Sequence, residues 1–155
     1  MKIIQGDLIK LAKEGKFDLI IHGCNCFCNM GAGIAKIIKS EFPEAYKVDQ
    51  NTKKGDKDKL GNYSFAEVII NGKKLTIINA YTQYDYGGNK INVSYDSIKK
   101  VFKKIKKEFS GKKIGYPAIG SGLAGGNWEK IYSIICDELI GEDHTFVEYK
   151  APNKK

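Results

Sequence analysis

The stretch His22-Gly-Cys-Asn25-Cys-Phe-Cys-Asn-Met-Gly31-Ala-Gly33-Ile-Ala35 decides how this chain is read. The apolar run before it, Phe17-Asp-Leu-Ile-Ile21, predicts a buried strand over residues 17–22. After it, Ile34, Ile37 and Ile38 share one face of a predicted helix that starts near Gly33. A polar, glycine-rich loop therefore joins a strand end to a helix start. Backbone N–H groups in such a loop lack helical partners, and the helix dipole adds partial positive charge, so the place suits a phosphate. The glycines let the backbone approach a ligand closely.

A second loop of the same kind is Tyr116-Pro-Ala-Ile119-Gly-Ser-Gly122-Leu-Ala-Gly-Gly126-Asn-Trp128. It follows a predicted strand over residues 113–116. It precedes a helix marked by Ile131, Ile134, Ile135 and Leu139. Either loop alone can be plain punctuation. Two of them at the C-terminal ends of strands fit a two-sided diphosphate site, because ligands of open α/β sheets bind at that edge.

Further elements fall on either side. Residues 2–4 predict a short strand, and Asp7 is placed to cap a helix over residues 8–13. Pro43 opens a further helix through Val48. Residues 51–59, rich in Lys and Asp, predict a mobile loop. Asn71-Gly72 between apolar runs predicts a hairpin of residues 62–70 and 74–80. A loop over 81–92 leads to an amphipathic helix over 94–109, and residues 144–149 form the last strand. The order predicts a single α/β domain over residues 1–150, a three-layer α/β/α sandwich around a mixed sheet, with a disordered tail over 151–155.

The chain has 155 residues, 42% of them hydrophobic, which fits one globular domain with a sizeable core. It has no apolar run near the length of a membrane span and no signal-peptide core, so the expected location is cytoplasmic, with no membrane partner. The net charge of +8 rests on lysine alone, because the chain has no Arg. Phosphates must then be held by backbone amides or by Lys as a point charge. Lys99, Lys100, Lys103, Lys104, Lys106 and Lys107 share one helix, read here as a solvated face; nucleic acid is a possible partner but not the favoured one. Three of the four cysteines alternate as Cys24, Cys26 and Cys28, which gives neither a disulfide framework nor two zinc-ligand pairs. No metal and no cofactor is expected.

Four segments together resemble the macro domain family: Gln5-Gly-Asp7-Leu-Ile, Ile20-Ile-His-Gly-Cys-Asn25, Met30-Gly-Ala-Gly-Ile-Ala35 and Pro117-Ala-Ile-Gly-Ser-Gly-Leu123, the last continuing to Trp128. The resemblance covers nearly the whole chain in matching order. It is closest to the branch of the ADP-ribose-1″-phosphate phosphatases, which has a similar His-x-Cys-Asn-Cys segment and a Gly-Gly stretch, here Tyr86-Gly-Gly88. It implies a small-molecule ligand, ADP-ribose or a derivative. Asp7, with Leu8 beside it, would meet the adenine amine, and Asn25 would hold the distal ribose. Gly31, Ala32, Gly33 and Ile34 would approach that ribose and the diphosphate. Gly120, Ser121, Gly122, Leu123 and Ala124 would cradle the diphosphate through their amides. His22 matches a histidine associated with catalysis, so His22 and Asn25 are the implied catalytic pair. Asp7 can equally be a helix cap, and His22 a satisfied strand-end histidine.

The neighbouring branch of glutamate-linked ADP-ribose hydrolases has a similar Met-Gly-Ala-Gly-Ile-Ala loop. It uses a lysine after the central strand and an acid in the second loop. Here those places fall at residues 81–83 and at Ala124, with neither group present. Two readings follow. One is a metal-independent hydrolase of the terminal phosphate of ADP-ribose-1″-phosphate, or of another ADP-ribose conjugate of protein or nucleic acid. The other is a binding module without turnover.

Overall fold

A computed structural model describes residues 2–87, 92–122 and 124–150. Its elements run β1(Lys2–Gly6), α1(Leu8–Lys13), β2(Leu19–Cys24), α2(Gly33–Glu41), α3(Pro43–Gln50), β3(Tyr63–Ile70), β4(Lys73–Tyr81), α4(Tyr95–Phe109), β5(Ile114–Tyr116), α5(Trp128–Glu138) and β6(His144–Tyr149), with one 3-10 turn at Lys57–Lys59. The six strands form one sheet in the order β1-β6-β5-β2-β4-β3. All neighbours are parallel except β3 and β4, which are antiparallel. The expected single α/β domain with a mixed sheet is what the chain forms.

Alternation along the central strands divides the core in two. Leu19 and Ile21 of β2 join Ile78 and Ala80 of β4 under α4 and α5. Ile20 and Ile77 turn the other way, under α1, α2 and α3. Both faces of the sheet are covered, so β2 and β4 read as near-continuous apolar runs, as buried parallel strands do. The strand expected at 17–22 lies two residues later. Phe17 instead packs its ring where a Cβ on Gly115 would sit, at 2.8 Å, and Asp18 accepts the Lys113 amide at 2.9 Å.

The hairpin turns at Asn71 and Gly72, both with positive φ, directly after the Ile70–Lys73 pair. That matches the tight turn an Asn-Gly pair favours. The segment 51–59 is corrected from the expected mobile loop. Gly55 N donates to Cys26 O at 2.7 Å, and Lys59, only 8% exposed, donates to the same oxygen at 3.1 Å. The 151–155 tail lies outside the described residues. Among the described residues no helix is long and apolar enough to cross a membrane.

Candidate functional site

Five parallel strands end at one edge of the sheet, and three of the chain segments that leave it there are the ones the sequence singled out. Asp7 follows β1, residues 25–32 follow β2, and residues 117–127 follow β5. β2 and β5 are neighbours, so the two glycine loops stand side by side. Gly23 lets the ends of β2, β4 and β5 close up: a Cβ there would lie 2.8 Å from Thr82 Oγ1 and 3.1 Å from Ile119 Cγ2.

The first loop is stapled by Asn25. Its Oδ1 accepts the Phe27 amide at 2.9 Å and the Asn29 amide at 3.4 Å, and its Nδ2 donates to Asn29 O at 2.8 Å. Asn29 Oδ1 in turn accepts the Gly31 amide at 3.0 Å. The helix behind the loop begins at Gly33 with Ala32 as its cap residue, and Ala32 supplies no side-chain hydrogen bond. The first-turn amides of α2 are left open, which is the condition for receiving an anion. Ile34 packs partly buried against the core, so its contribution at the loop is its backbone.

The second loop ties itself through Ser121 N to Ala118 O, Gly125 N to Gly122 O and Gly126 N to Gly120 O. The amides of Gly120, Gly122 and Ala124 take no part in those bonds. Gly120 has a φ of +75° and sits where a Cβ would strike Val93 at 2.6 Å, so it is a packing glycine. Gly122 is different: a Cβ there meets nothing within 4 Å. The carbonyl of Ala124 accepts Asn92 N at 2.8 Å, which joins this loop to the segment after β4. Leu123 and Gly88 lie outside the described residues.

Asp7 caps α1, with Oδ1 accepting from Ile9 N at 3.0 Å and Lys10 N at 3.2 Å. Both bonds use one oxygen, and Oδ2 of the exposed carboxylate takes no part in the cap. The Leu8 side chain belongs to the core, which leaves only its backbone for the site.

His22 is placed as the satisfied strand-end histidine that was one of its two expected readings. It is 0% exposed, and Nε2 lies 2.6 Å from Asn79 Oδ1, its register partner on β4. Burial lowers its pKa to about 4, so the ring is neutral at pH 7. The neutral ring keeps one N–H and one acceptor nitrogen, and its full enclosure commits it to Asn79 and Cys24. The contacts it makes are those of a satisfied strand-end histidine.

His22 begins a buried polar chain. Asn79 Nδ2 donates to Ala45 O at 2.9 Å and to Ser64 Oγ at 3.1 Å, and Ser64 Oγ meets Tyr81 OH at 2.7 Å. Tyr81 OH donates to Asp49 Oδ1 at 2.7 Å. Asp49 is pushed up in pKa by burial. Lys59 lies 4.6 Å from the Tyr81 ring centre and donates to Cys26 O and, at 3.6 Å, to Cys28 Sγ. The chain thus underpins the first loop from below. Asn79 announced itself in sequence as a polar residue inside the apolar run 75–80. Lys59 had no such signal, because a lysine in a polar stretch reads as exposed. The four cysteines are free, and burial raises Cys26 to about 11, so that thiol is inert at neutral pH.

A family model described as macro domain matches residues 21–135. An uncharacterized 17.5 kDa protein of the tk-vs intergenic region of Enterobacteria phage T4 is 37% identical over 141 residues, 87% of either chain. An ADP-ribose 1″-phosphate phosphatase of Aspergillus oryzae is 46% identical over 48 residues, 31% of this chain and 22% of that protein. The chain therefore matches about a fifth of that phosphatase's length. Thermosipho africanus DarTG, solved in complex with ADP-ribose, shares the fold with a TM-score of 0.71 at 19% identity, covering all of this chain and 43% of that one.

Proposed function

Because the chain belongs to the macro domain family, we propose that its crevice binds ADP-ribose or a close derivative. The observation that carries this reading is the approach at Gly23 of two glycine loops, on neighbouring parallel strands, whose Gly120, Gly122 and α2 first-turn amides have no partner among the described residues. A diphosphate takes one phosphate from each side: the open first turn of α2 and the amides of Gly120, Gly122 and Ala124. A chain without Arg needs this arrangement, since amides and the helix dipole replace guanidinium clamps. Asp7 Oδ2 accepts the adenine amine, and the loop stapled by Asn25 faces the distal ribose. The ADP-ribose in the Thermosipho africanus structure supports the ligand class.

The finer reading is removal of the terminal phosphate of ADP-ribose-1″-phosphate. Water adds to phosphorus, the bond from phosphorus to the ribose oxygen breaks, that oxygen takes up a proton as the water loses one, and inorganic phosphate and ADP-ribose are released. The 48-residue similarity to the Aspergillus oryzae phosphatase supports it. In this reading Asn25 orients the sugar by shaping its loop, and His22 acts at a distance by fixing Asn79 and the strand end. Positioning supplies the rate. The burial of His22 favours a second reading, a module that binds ADP-ribose without turnover. Calorimetry with ADP-ribose beside a phosphate-release assay with ADP-ribose-1″-phosphate separates the two. Absence of ADP-ribose binding overturns both; binding without release leaves the module.

A further inference from the structure

Helix α4 buries Ile98, Val101, Phe102 and Ile105 and turns Lys99, Lys100, Lys103, Lys104 and Lys107 to solvent. Three of the pairs these make, 99/103, 100/104 and 103/107, stand at i,i+4, where like charges repel. Asp96 stands four residues before Lys100 and Glu108 four after Lys104, and Lys104 Nζ donates to Asn62 Oδ1, so the repulsion is offset only in part and lysines remain in excess. The ion pairs among the described residues are Lys2–Asp143, Lys13–Glu41, Lys73–Asp18 and Lys74–Glu67, all away from this helix. Glu108 accepts a hydrogen bond from Tyr63 OH and keeps its negative charge at the groove.

Beside this charge lies an open groove of about 670 Å³ between α4 and β3, lined by Asn62, Tyr63, Phe65, Lys104, Lys107 and Glu108. β3 is the outermost strand. Phe65, 36% exposed, rests edge-on against Phe109 at 5.4 Å and lies 6.2 Å from Tyr63. A partly exposed apolar ring thus stands beside a helix face on which lysines outnumber acids.

We propose that this groove binds single-stranded nucleic acid. The lysines meet successive phosphates, and Phe65 stacks on a base. The observations select this partner over other anions. An acidic peptide or an anionic lipid surface answers the charge but has no repeated planar faces for Phe65. A duplex keeps its bases stacked inside, out of the ring's reach. Stacking on an aromatic platform beside a basic track is how single strands are held without sequence readout. With Lys as point charges and no Arg fork, sequence preference is weak. The proposal is independent of the ADP-ribose reading, because no groove residue belongs to the crevice.

The test is fluorescence anisotropy with a labelled oligothymidylate of about twelve nucleotides, the matching duplex, and phosphatidylserine vesicles, over a salt series. The wild type should bind the single strand in preference to the duplex, with affinity falling as salt rises. The triple variant Lys100→Gln, Lys104→Gln, Lys107→Gln should lose at least about tenfold, and its salt slope should shrink by roughly 0.7 per phosphate contact removed. Phe65→Leu should lose about tenfold with the slope unchanged, since stacking releases no counterion. Circular dichroism and thermal melting confirm that each variant is folded. No binding to the oligonucleotide, equal or tighter binding of the duplex, binding of vesicles alone, or a lysine effect without a Phe65 effect would each overturn the proposal.

Discussion

Replacing His22 with Gln should remove about 2 kcal/mol of pH-dependent stability between pH 7 and pH 5. Burial lowers the folded-state pKa of His22 from 6.5 to about 4, while the unfolded chain titrates near the ordinary value. Between those values the unfolded state binds the extra proton and the folded state does not. Stability from this residue is therefore complete above the unfolded pKa and is lost as pH falls toward the folded one. At roughly 1.4 kcal/mol per pKa unit the whole effect is about 3 kcal/mol, of which about 2 kcal/mol is gone by pH 5. The assay is urea unfolding of wild type and His22→Gln at both pH values. The variant is less stable at each pH because it breaks a buried bond to Asn79, but that offset cancels when each protein's pH difference is taken. His144 is present in both proteins and cancels as well. Equal pH differences for the two proteins would refute the argument. So would a His22 imidazole resonance that titrates near neutral pH in an NMR series.

The crevice itself offers three further tests. Asp7→Ala should weaken ADP-ribose binding by about 1–3 kcal/mol and lower stability by about 1 kcal/mol, because one residue serves ligand and helix cap; Asp7→Asn should keep the cap, and calorimetry beside thermal melting reads the two effects apart. Gly122→Glu should abolish ADP-ribose binding at unchanged melting temperature, whereas Gly120→Ala should lower the melting temperature, because only the second site is closed by Val93. Asn25→Ala should impair both ADP-ribose binding and any phosphate release, since it unties residues 25–29; loss of release alone, with calorimetric affinity intact, would remove Asn25 from the binding loop.

The layers of the fold were legible because the signals were local. The apolar run through Leu19, Ile20 and Ile21, the Asp7 cap and the Asn71-Gly72 turn each depend on a few neighbouring residues; the cap and the turn lie where their patterns indicated, and the strand lies two residues later. The placement of His22 was not legible in the same way. A histidine at a strand end reads equally as a rim residue or a buried one; its register partner Asn79 decides, and that pairing spans 57 positions. The segment 51–59 misled for a related reason. Its composition is that of a solvated loop, but Lys59 finds a carbonyl and a thiol contributed by the loop after β2 and an aromatic ring contributed by β4. Composition measures average polarity and cannot see a single compensated burial.

The antiparallel hairpin gives the molecule two unlike poles. β4 begins at Lys73 and reaches the crevice only at its far end, Tyr81, so the Asn71-Gly72 turn stands at the opposite edge of the sheet. A Cβ added at Gly72 meets nothing. This turn is a natural handle: a fluorophore, a surface tether or an inserted peptide placed there would report on or immobilise the protein a full strand length away from the loops that receive the ligand.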